Sequence, residues 1–168
     1  MSFVTIRELV SRQTNMSKKL QLKIVTPEKL ILEEMVDSVT IPTTEGEITI
    51  LPDHIPLVAS LSSGDIVAIS DGEQIPMAVV GGFVETKKIQ NKDTKNSLTE
   101  VTILADFAEH VSSITDKEIE EAKQKAEELR QKSLDKGTID FEHFESELDR
   151  SLTRIKIADK WRTKKYRK

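Results

Sequence analysis

Three histidines are the side chains in this sequence best suited to acid–base or metal chemistry. His54, His110 and His143 stand far apart, so no two have the spacing with which a helix presents a pair of metal ligands. The sequence contains no cysteine, which excludes thiolate metal sites, disulfides and a cysteine nucleophile. Asp and Glu are abundant, but no pair stands in an apolar setting that would tune a general acid and base. We therefore expect no catalytic site, metal centre or bound cofactor in this chain.

Segment 44–57, TEGEITILPDHIPL, has the most distinctive pattern in the chain. A glycine turn precedes a short alternating strand, and two prolines then bracket a rigid turn. This arrangement places Glu47 near the start of a strand and His54 at the apex of a loop. By itself, the pattern favours a solvated strand residue at Glu47 and an ordinary turn residue at His54 over a binding site.

Cationic side chains concentrate in the last twenty residues. Arg150 and Arg154 are one helical turn apart, so they can meet a phosphate from one face or pair with Glu147 and neighbouring acids. A basic tail follows, which suits either an acidic protein surface, with an attraction that weakens in salt, or plain solvation. The basic tail consists of Lys160, Arg162, Lys164, Lys165, Arg167 and Lys168.

Composition divides the chain near residue 110. The first 110 residues carry 10 Lys/Arg and 16 Asp/Glu, and they hold all five Pro and five of the six Gly. The other 58 residues carry 15 Lys/Arg and 13 Asp/Glu. The overall net charge of −4 argues against a nucleic-acid binder, and no apolar run approaches the roughly 18 residues of a transmembrane helix. We expect a soluble protein, or one that reaches a membrane only through partners.

A two-residue period predicts a β-sandwich over residues 17–110. Leu20–Ile24 alternates apolar and polar residues, and similar short segments recur between Pro and Gly turns. Roughly 8–10 short antiparallel strands are expected, in a sandwich or barrel rather than in alternating strand and helix units. The polar stretch Lys87–Leu98 is expected to be an exposed loop. Gly81-Gly82 is expected to form a bulge or tight bend rather than a phosphate cradle.

After His110 the period becomes 3.6, which predicts two helices. Thr115-x-x-Glu118 fits a capping box, and a break near Gly137 precedes Asp140 as the second cap. The short link forces an antiparallel hairpin. The apolar stripes are Ile119, Ala122, Ala126 and Leu129 on the first helix, and Phe141, Phe144, Leu148, Leu152 and Ile155 on the second.

About half of the residues after 110 are charged, so the hairpin buries little apolar surface. Such a pair of helices is only marginally stable alone and needs the sandwich or another subunit. Weak docking suits a mobile element. A hairpin that is exposed and does not move is the alternative.

These motifs together resemble the epsilon subunits of F-type ATP synthases. The resemblance runs from about Leu20 to Ile157 and keeps the family's order of sandwich and hairpin. It implies an α+β chain with three parts: an extension over 1–16, an antiparallel β-sandwich over 17–110, and a regulatory helical hairpin with the basic tail over 111–168. The matching segments are TEGEITILPDHIPL, VTPE at 25–28, VVGGFVE at 79–85, VTILADFAE at 101–109 and EAKQKAEE at 121–128.

The resemblance implies a non-catalytic rotor subunit in the central stalk of a proton-translocating synthase. In the family, the sandwich binds the gamma subunit and sits on the ring of c subunits, so that ring rotation is coupled to ATP synthesis. Glu47 and His54 match the family's ring-facing segment, and we expect them to contact the c ring. The expected location is the cytoplasmic face of a bacterial plasma membrane, peripheral and as part of the complex, with a plastid host as the alternative.

The family's helical hairpin is a mobile inhibitor. Folded, it packs on the sandwich; extended, it runs along gamma into the catalytic head and blocks ATP hydrolysis. The resemblance therefore implies that the basic tail meets the alpha and beta subunits of the head. A purely structural stalk adaptor with an immobile hairpin is an alternative interpretation.

The resemblance departs from one property of some bacterial members, which bind ATP in the folded hairpin. Their motif has an Asp and an Arg where this chain has Thr115 and Glu118. Arg150 and Arg154 match the later basic positions and are the candidate nucleotide contacts. Because Glu118 puts negative charge where the nucleotide would lie, we expect no bound ATP. A nucleotide-sensing module is the second alternative interpretation.

Overall fold

The computed structural model describes residues 18–90, 97–134 and 141–165. Within these ranges, ten strands form two five-stranded sheets, and two helices follow. Sheet I has the strand order β2-β1-β9-β8-β5, and sheet II has the order β10-β7-β6-β3-β4. The predicted sandwich followed by helices is confirmed. The strands are β1 (Leu20–Val25), β2 (Leu30–Val36), β3 (Ser38–Thr43), β4 (Gly46–Ile50), β5 (Leu57–Ser60), β6 (Gly64–Ser70), β7 (Glu73–Val80), β8 (Phe83–Gln90), β9 (Ser97–Leu104) and β10 (Phe107–His110).

Strand pairing within the two sheets is antiparallel with one exception among the described strands. β1 and β9 run parallel, with Leu22 opposite Val101 and Ile24 opposite Ile103. Parallel neighbours need a long connection, and these two strands are separated by seven others along the chain. The first and last long strands of the sandwich are thereby joined at the centre of sheet I.

The sandwich core is continuous between the two sheets. Leu20, Leu22 and Ile24 have no exposed surface, while Gln21 and Lys23 between them face outward, as the two-residue period predicts. The facing sheet contributes equally buried side chains. Together these form one apolar cluster, whose fully buried members also include Val36, Val39, Ile41, Ile50, Ile66, Met77, Val79, Val84, Val101 and Ile103.

The polar stretch Lys87–Leu98 is not the loop that its composition predicts. β8 continues to Gln90 and β9 begins at Ser97, while residues 91–96 lie outside the described part. Strand structure extends into this stretch because the two backbones pair, with Lys88 opposite Thr99 and Gln90 opposite Ser97. On the outer face, Lys87 pairs with Glu100 at 3.0 Å. The described side chains of the stretch are exposed or half-buried, so their polar composition is compatible with a strand.

Gly81 and Gly82 form a tight bend between β7 and β8, as predicted. Their φ angles of 58° and 103° lie in the left-handed region that glycine adopts without strain. A Cβ atom on Gly82 would stand 2.0 Å from the carbonyl oxygen of Leu104. The second glycine is therefore required by backbone packing as well as by its φ angle.

A 3-10 turn (Val111–Ser113) follows β10 and leads into helices α1 (Asp116–Leu134) and α2 (Phe141–Lys165). The predicted capping box is present. The Glu118 backbone N–H donates to Thr115 Oγ1 at 3.3 Å, and the Thr115 backbone N–H donates to Glu118 Oε2 at 2.7 Å. The Thr115 hydroxyl also donates to Glu118 Oε2, at 2.8 Å. The backbone N–H and then the hydroxyl of Thr115 hold the pKa of Glu118 below its ordinary value. The predicted break at Gly137 and the cap at Asp140 lie outside the described residues.

The two helices form an antiparallel pair that lies against sheet II. Lys125 in the middle of α1 meets Glu147 early in α2, whereas Asp116 at the start of α1 meets Arg162 near the end of α2. A second, smaller apolar cluster joins the helices to β7. It contains Ala78, Ile114, Ile119, Ile157 and Ala158, with Val111, Ile155 and Trp161 packed at its edge.

The buried face of α2 differs from the predicted apolar stripe. Leu152 is 50% exposed, whereas Ser151 and Ala158 are buried and Ile157 is 2% exposed. The face of α2 that packs in the cluster with Ala78 is therefore centred on Ile157 and Ala158. On α1, the predicted Ile119 and Ala122 are buried. The predicted stripe members whose side chains lie outside the described part are Leu129, Phe141 and Phe144.

Candidate functional site

Glu47 and His54 lie at opposite ends of the edge strand β4. Glu47 is exposed and sits opposite Pro42 of β3, next to the turn at Gly46. His54 lies in the turn after β4, where its backbone N–H donates to the Leu51 carbonyl at 3.1 Å. The strand between them covers about 13 Å, so they do not form one compact site. Their contact with a c ring stays a prediction.

The turn that carries His54 is fixed to sheet I. Asp53 adopts a φ of 67°, and its backbone N–H donates to Thr99 Oγ1 at 2.8 Å. Its carboxylate accepts a hydrogen bond from Lys18 Nζ at 2.6 Å, and this ion pair lowers the pKa of Asp53. His54 Nδ1 lies 2.8 Å from the carbonyl oxygen of Ile55. These contacts hold the imidazole in a defined position on an otherwise irregular loop.

Three residues in register on sheet II form the surface on which α2 lies. Asp65 of β6 sits opposite Ala78 of β7, and Ala78 sits opposite Glu109 of β10. Paired residues share one face of a sheet, so these three side chains project together, away from the sandwich core. Ala78 is fully covered and belongs to the cluster with α2 rather than to the core. An acidic residue thus lies on each side of a small apolar contact.

Asp65 receives hydrogen bonds from two consecutive residues of α2. Lys160 Nζ donates to its two carboxylate oxygens at 2.7 and 2.8 Å. Trp161 Nε1 donates to Oδ2 at 3.0 Å. The Asp65 side chain is 8% exposed, whereas that of Lys160 is 52% exposed. The carboxylate is therefore buried by the helix that it binds.

Arg150 and Arg154, the two arginines predicted to share a helix face, contact residues of β10. Arg154 Nε donates to Glu109 Oε2 at 2.8 Å, and its guanidinium lies 4.9 Å from the centre of the Phe107 ring. The guanidinium of Arg150 lies 5.7 Å from the same ring, and its terminal nitrogen lies 3.4 Å from the Asp106 carbonyl. The structure therefore brings both arginines to one face, as predicted, but against protein groups.

A cavity of about 220 Å³ between the helices includes both arginines in its wall. Its other charged groups are Lys125 and the carboxylates of Glu118, Glu121 and Glu147. The formal charges cancel, and the lowered pKa keeps Glu118 ionised at neutral pH. A nucleotide carries several negative charges, so this wall is a poor complement to it. Contact of Arg150 and Arg154 with a nucleotide stays a prediction that the geometry does not favour.

The basic tail is partly engaged within the chain itself. Lys160 bonds to Asp65, and Arg162 bonds to Asp116 in the first turn of α1, where a carboxylate also interacts favourably with the helix dipole. The other members lie outside the part of the chain whose side chains are described. They are Lys164, Lys165, Arg167 and Lys168.

Sequence patterns did not identify the residues beneath α2. Asp65 stands at the start of an apolar strand, and Glu109 and Ala78 look like ordinary strand residues. Alternation alone places all three on the outer face of their strands, but it does not show which outer positions a helix covers. A signal that does exist is a lone carboxylate in a strand that is otherwise apolar, since such a group needs a partner when it is buried.

Metal ligands and membrane spans are two further features that we sought. Within residues 18–90, 97–134 and 141–165, no three His, Asp or Glu side chains come together as a metal site would require. Neither described helix is long and apolar enough to span a bilayer.

Known proteins match both parts of the chain. The family model for the β-sandwich domain of the ATP synthase delta/epsilon chain matches residues 19–111. The ATP synthase epsilon chain of Desulforamulus reducens is 37% identical over 145 residues, which are 86% of this chain and all of the relative. That of Halalkalibacterium halodurans is 39% identical over 140 residues, which are 83% of this chain and 96% of the relative.

A solved assembly supports the same fold. A chain in the structure of the Euglena gracilis mitochondrial ATP synthase, described as OSCP/F1/c-ring, aligns with a TM-score of 0.56 and 22% identity. The alignment covers 90% of this chain and 84% of that chain. The sandwich, the two helices that follow it, and relatives matched over almost their whole length agree. This chain belongs to the epsilon subunit family of F-type ATP synthases.

Proposed function

We propose that this chain is a non-catalytic subunit of the central stalk, in which the sandwich couples rotation and the hairpin restrains ATP hydrolysis. The division follows the two parts named above, with the boundary at residue 110, where β10 ends and the 3-10 turn begins. Family membership supports the place in the synthase. The two separate apolar clusters support the division of labour, because they allow the hairpin to leave without opening the sandwich core.

The observation that carries the inhibitory role is the nature of the contact between α2 and sheet II. The contact combines a small apolar cluster with two ion pairs, Lys160–Asp65 and Arg154–Glu109. Ion pairs that are partly open to solvent contribute little net free energy, because each charge is well hydrated when the pair separates. The folded hairpin is thus held by contacts that another acidic surface can replace. We assign that surface to the alpha and beta subunits of the catalytic head.

Deletion of residues 111–168 tests this role in the assembled enzyme. We expect the shortened chain to assemble with the gamma subunit and the c ring, and ATP hydrolysis to rise. Unchanged hydrolysis would favour the structural adaptor with an immobile hairpin. Failure to assemble would contradict the proposal that the sandwich alone binds the rotor.

The c ring is proposed to lie along the edge strand β4. This strand is not covered by the hairpin, which contacts β6, β7 and β10. An approach along the edge allows Glu47 and His54 to meet ring loops although they lie at opposite ends of the strand. The subunit then reaches the membrane only through the complex, at the cytoplasmic face of a bacterial plasma membrane. Neither a nucleic acid nor a cofactor enters this proposal.

Cysteine cross-linking tests the position of the ring, because the natural sequence has no cysteine. Glu47→Cys and His54→Cys are each expected to cross-link to cysteines placed in the polar loops of the c subunit. Glu34→Cys on β2, at the edge of sheet I, is the matched control and is expected to remain unlinked. Cross-linking of the control alone would place the ring at the opposite edge.

Nucleotide sensing is the second candidate function, and one observation favours it. Arg150 Nε is buried without a hydrogen-bond partner in the protein, at the wall of the cavity between the helices. The three carboxylates of that wall oppose it. Calorimetric titration of the full chain with ATP is expected to show no binding at millimolar ATP, and saturable heat would establish the sensing module.

A further inference from the structure

Asp65 is a charged residue on a strand of the sandwich, and its side chain is buried. It lies on the outer face of β6, between Gly64 and the core residue Ile66, and it is 8% exposed. The hydrogen bonds that the structure gives its carboxylate come from Lys160 and Trp161 of α2. The burial of this carboxylate and its hydrogen bonds therefore both depend on α2.

We propose that Asp65 is the latch of the folded hairpin, and that it holds α2 on sheet II by binding Lys160 and Trp161. Lys160 is one of the cations that we assign to the catalytic head. It cannot bind Asp65 and an acidic surface of the head at the same time. The competition between Asp65 and the head for Lys160 rests on the proposed function, whereas the latch itself concerns this chain alone.

The physics of the contact suits a reversible latch. A carboxylate buried without partners is strongly unfavourable, so α2 cannot shift slightly; either both hydrogen bonds form or water replaces them. When α2 leaves, Asp65 and Lys160 are both hydrated, which offsets most of the lost attraction. Lys160 is half exposed in the folded state, so dissolved ions screen the pair. The contact is therefore specific in geometry and modest in net free energy.

The chain contains its own reporter of the latch. Trp161 is the only tryptophan in the sequence, and its indole donates to Asp65. Acrylamide quenching of its fluorescence in the full chain measures how often α2 leaves the sheet. We expect at least twofold stronger quenching in Asp65→Asn. The matched control is Asp71→Asn, which removes the same charge from the turn after β6, where Asp71 pairs with Lys19.

A second readout separates release of the hairpin from local loosening of the indole. Ile119 of α1 belongs to the cluster with Ala78, so hydrogen exchange of its amide at neutral pH, where the capping box is intact, reports whether α1 stays docked. We expect about tenfold faster exchange in Asp65→Asn and no change in Asp71→Asn. Lys160→Ala should reproduce the effect from the other side of the contact, with exposed Lys156→Ala as its control.

The outcomes distinguish the latch from the inhibitory function. Unchanged quenching, or stronger quenching without faster Ile119 exchange, would overturn the latch. If both readouts change, the latch holds, and the assembled synthase then tests the competition. There, Asp65→Asn should lower ATP hydrolysis, because Lys160 is free for the head, whereas Lys160→Ala should not. Equal hydrolysis in both variants would contradict the inhibitory function and leave the latch in place.

Discussion

The sandwich and the hairpin are held by different kinds of contact, although one chain forms both. In the sandwich, strands that are distant in sequence share one continuous core, so no strand can leave without exposing it. The hairpin meets sheet II through a small apolar cluster and ion pairs at its margin. This difference is what the proposed function requires, in which the sandwich stays on the rotor while the hairpin moves.

The largest expected effect compares one isoleucine from each region. Ile103→Ala in β9, the central strand of sheet I, should reduce the free energy of unfolding by about 2–5 kcal/mol, because the core cannot collapse around the missing atoms. Ile157→Ala on α2 should loosen the hairpin and leave the sandwich transition in place. Denaturant unfolding, followed by circular dichroism and by Trp161 fluorescence, separates unfolding of the sandwich from loosening of the hairpin. A common shift of both signals in Ile157→Ala would show that the regions unfold as one unit.

Ala78 is the position where the two regions meet most closely. It is fully buried beneath α2, so Ala78→Leu should destabilise docking by about 1–3 kcal/mol through overpacking. The sandwich should keep its own stability, because Ala78 faces away from its core. Hydrogen exchange of α1 and β9 amides measures both effects in one experiment. Val58→Leu on exposed β5 is the control, and protection lost equally in β9 would argue against independent regions.

The ion pair between Glu109 and Arg154 should contribute less to docking of the hairpin than the packing at Ala78. Glu109→Gln keeps one hydrogen bond acceptor and removes the charge, so docking should weaken by about 1 kcal/mol. The difference from the natural chain should shrink as salt rises, because the pair lies at the margin of the contact. Trp161 quenching over a salt series checks this, with exposed Glu73→Gln as control. An effect that grows with salt would contradict an ionic contribution.

The smallest effect concerns the capping box at the start of α1. The pKa of Glu118 is lowered from its ordinary 4.5, so its contribution is present above that pH and is lost as pH falls toward the lowered value. Protection of the first α1 amides, which is the slowing of their exchange relative to that of an unstructured chain at the same pH, should therefore decrease below about pH 4.5, the ordinary value for Glu118. Glu118→Gln should remove most of this pH dependence, while Glu121→Gln should keep it. The sandwich amides should not respond to either change.

Alternation and helical periodicity predicted most of the fold because they report burial directly. Leu20, Leu22 and Ile24 point inward as expected, and Thr115 and Glu118 form the expected cap. The prediction failed at Lys87–Leu98, where β8 continues to Gln90 and β9 begins at Ser97. These polar arms are held by cross-strand backbone pairing, which composition does not report.

Sequence patterns predicted less of the candidate site than of the fold. The pattern identified Arg150 and Arg154 as neighbours on one helix face, which the structure shows. It did not predict Glu109 and Phe107 as their neighbours, because Glu109 is 45 positions from Arg154 and local periodicity does not pair distant elements. Leu152 is predicted on the buried face, yet half of it is exposed, because the buried face of α2 carries Ile157 and Ala158 instead.

Local sequence patterns specify the order of the two parts, their periods, the helix cap and the family. These properties depend on residues near one another in the chain, whose backbone preferences and burial repeat locally. The register of Asp65, Ala78 and Glu109 beneath α2, and the bond of Lys160 within the chain, come instead from the packing of the helix on the sheet. Such contacts join residues up to 95 positions apart, and their selection depends on how a helix lies across a sheet.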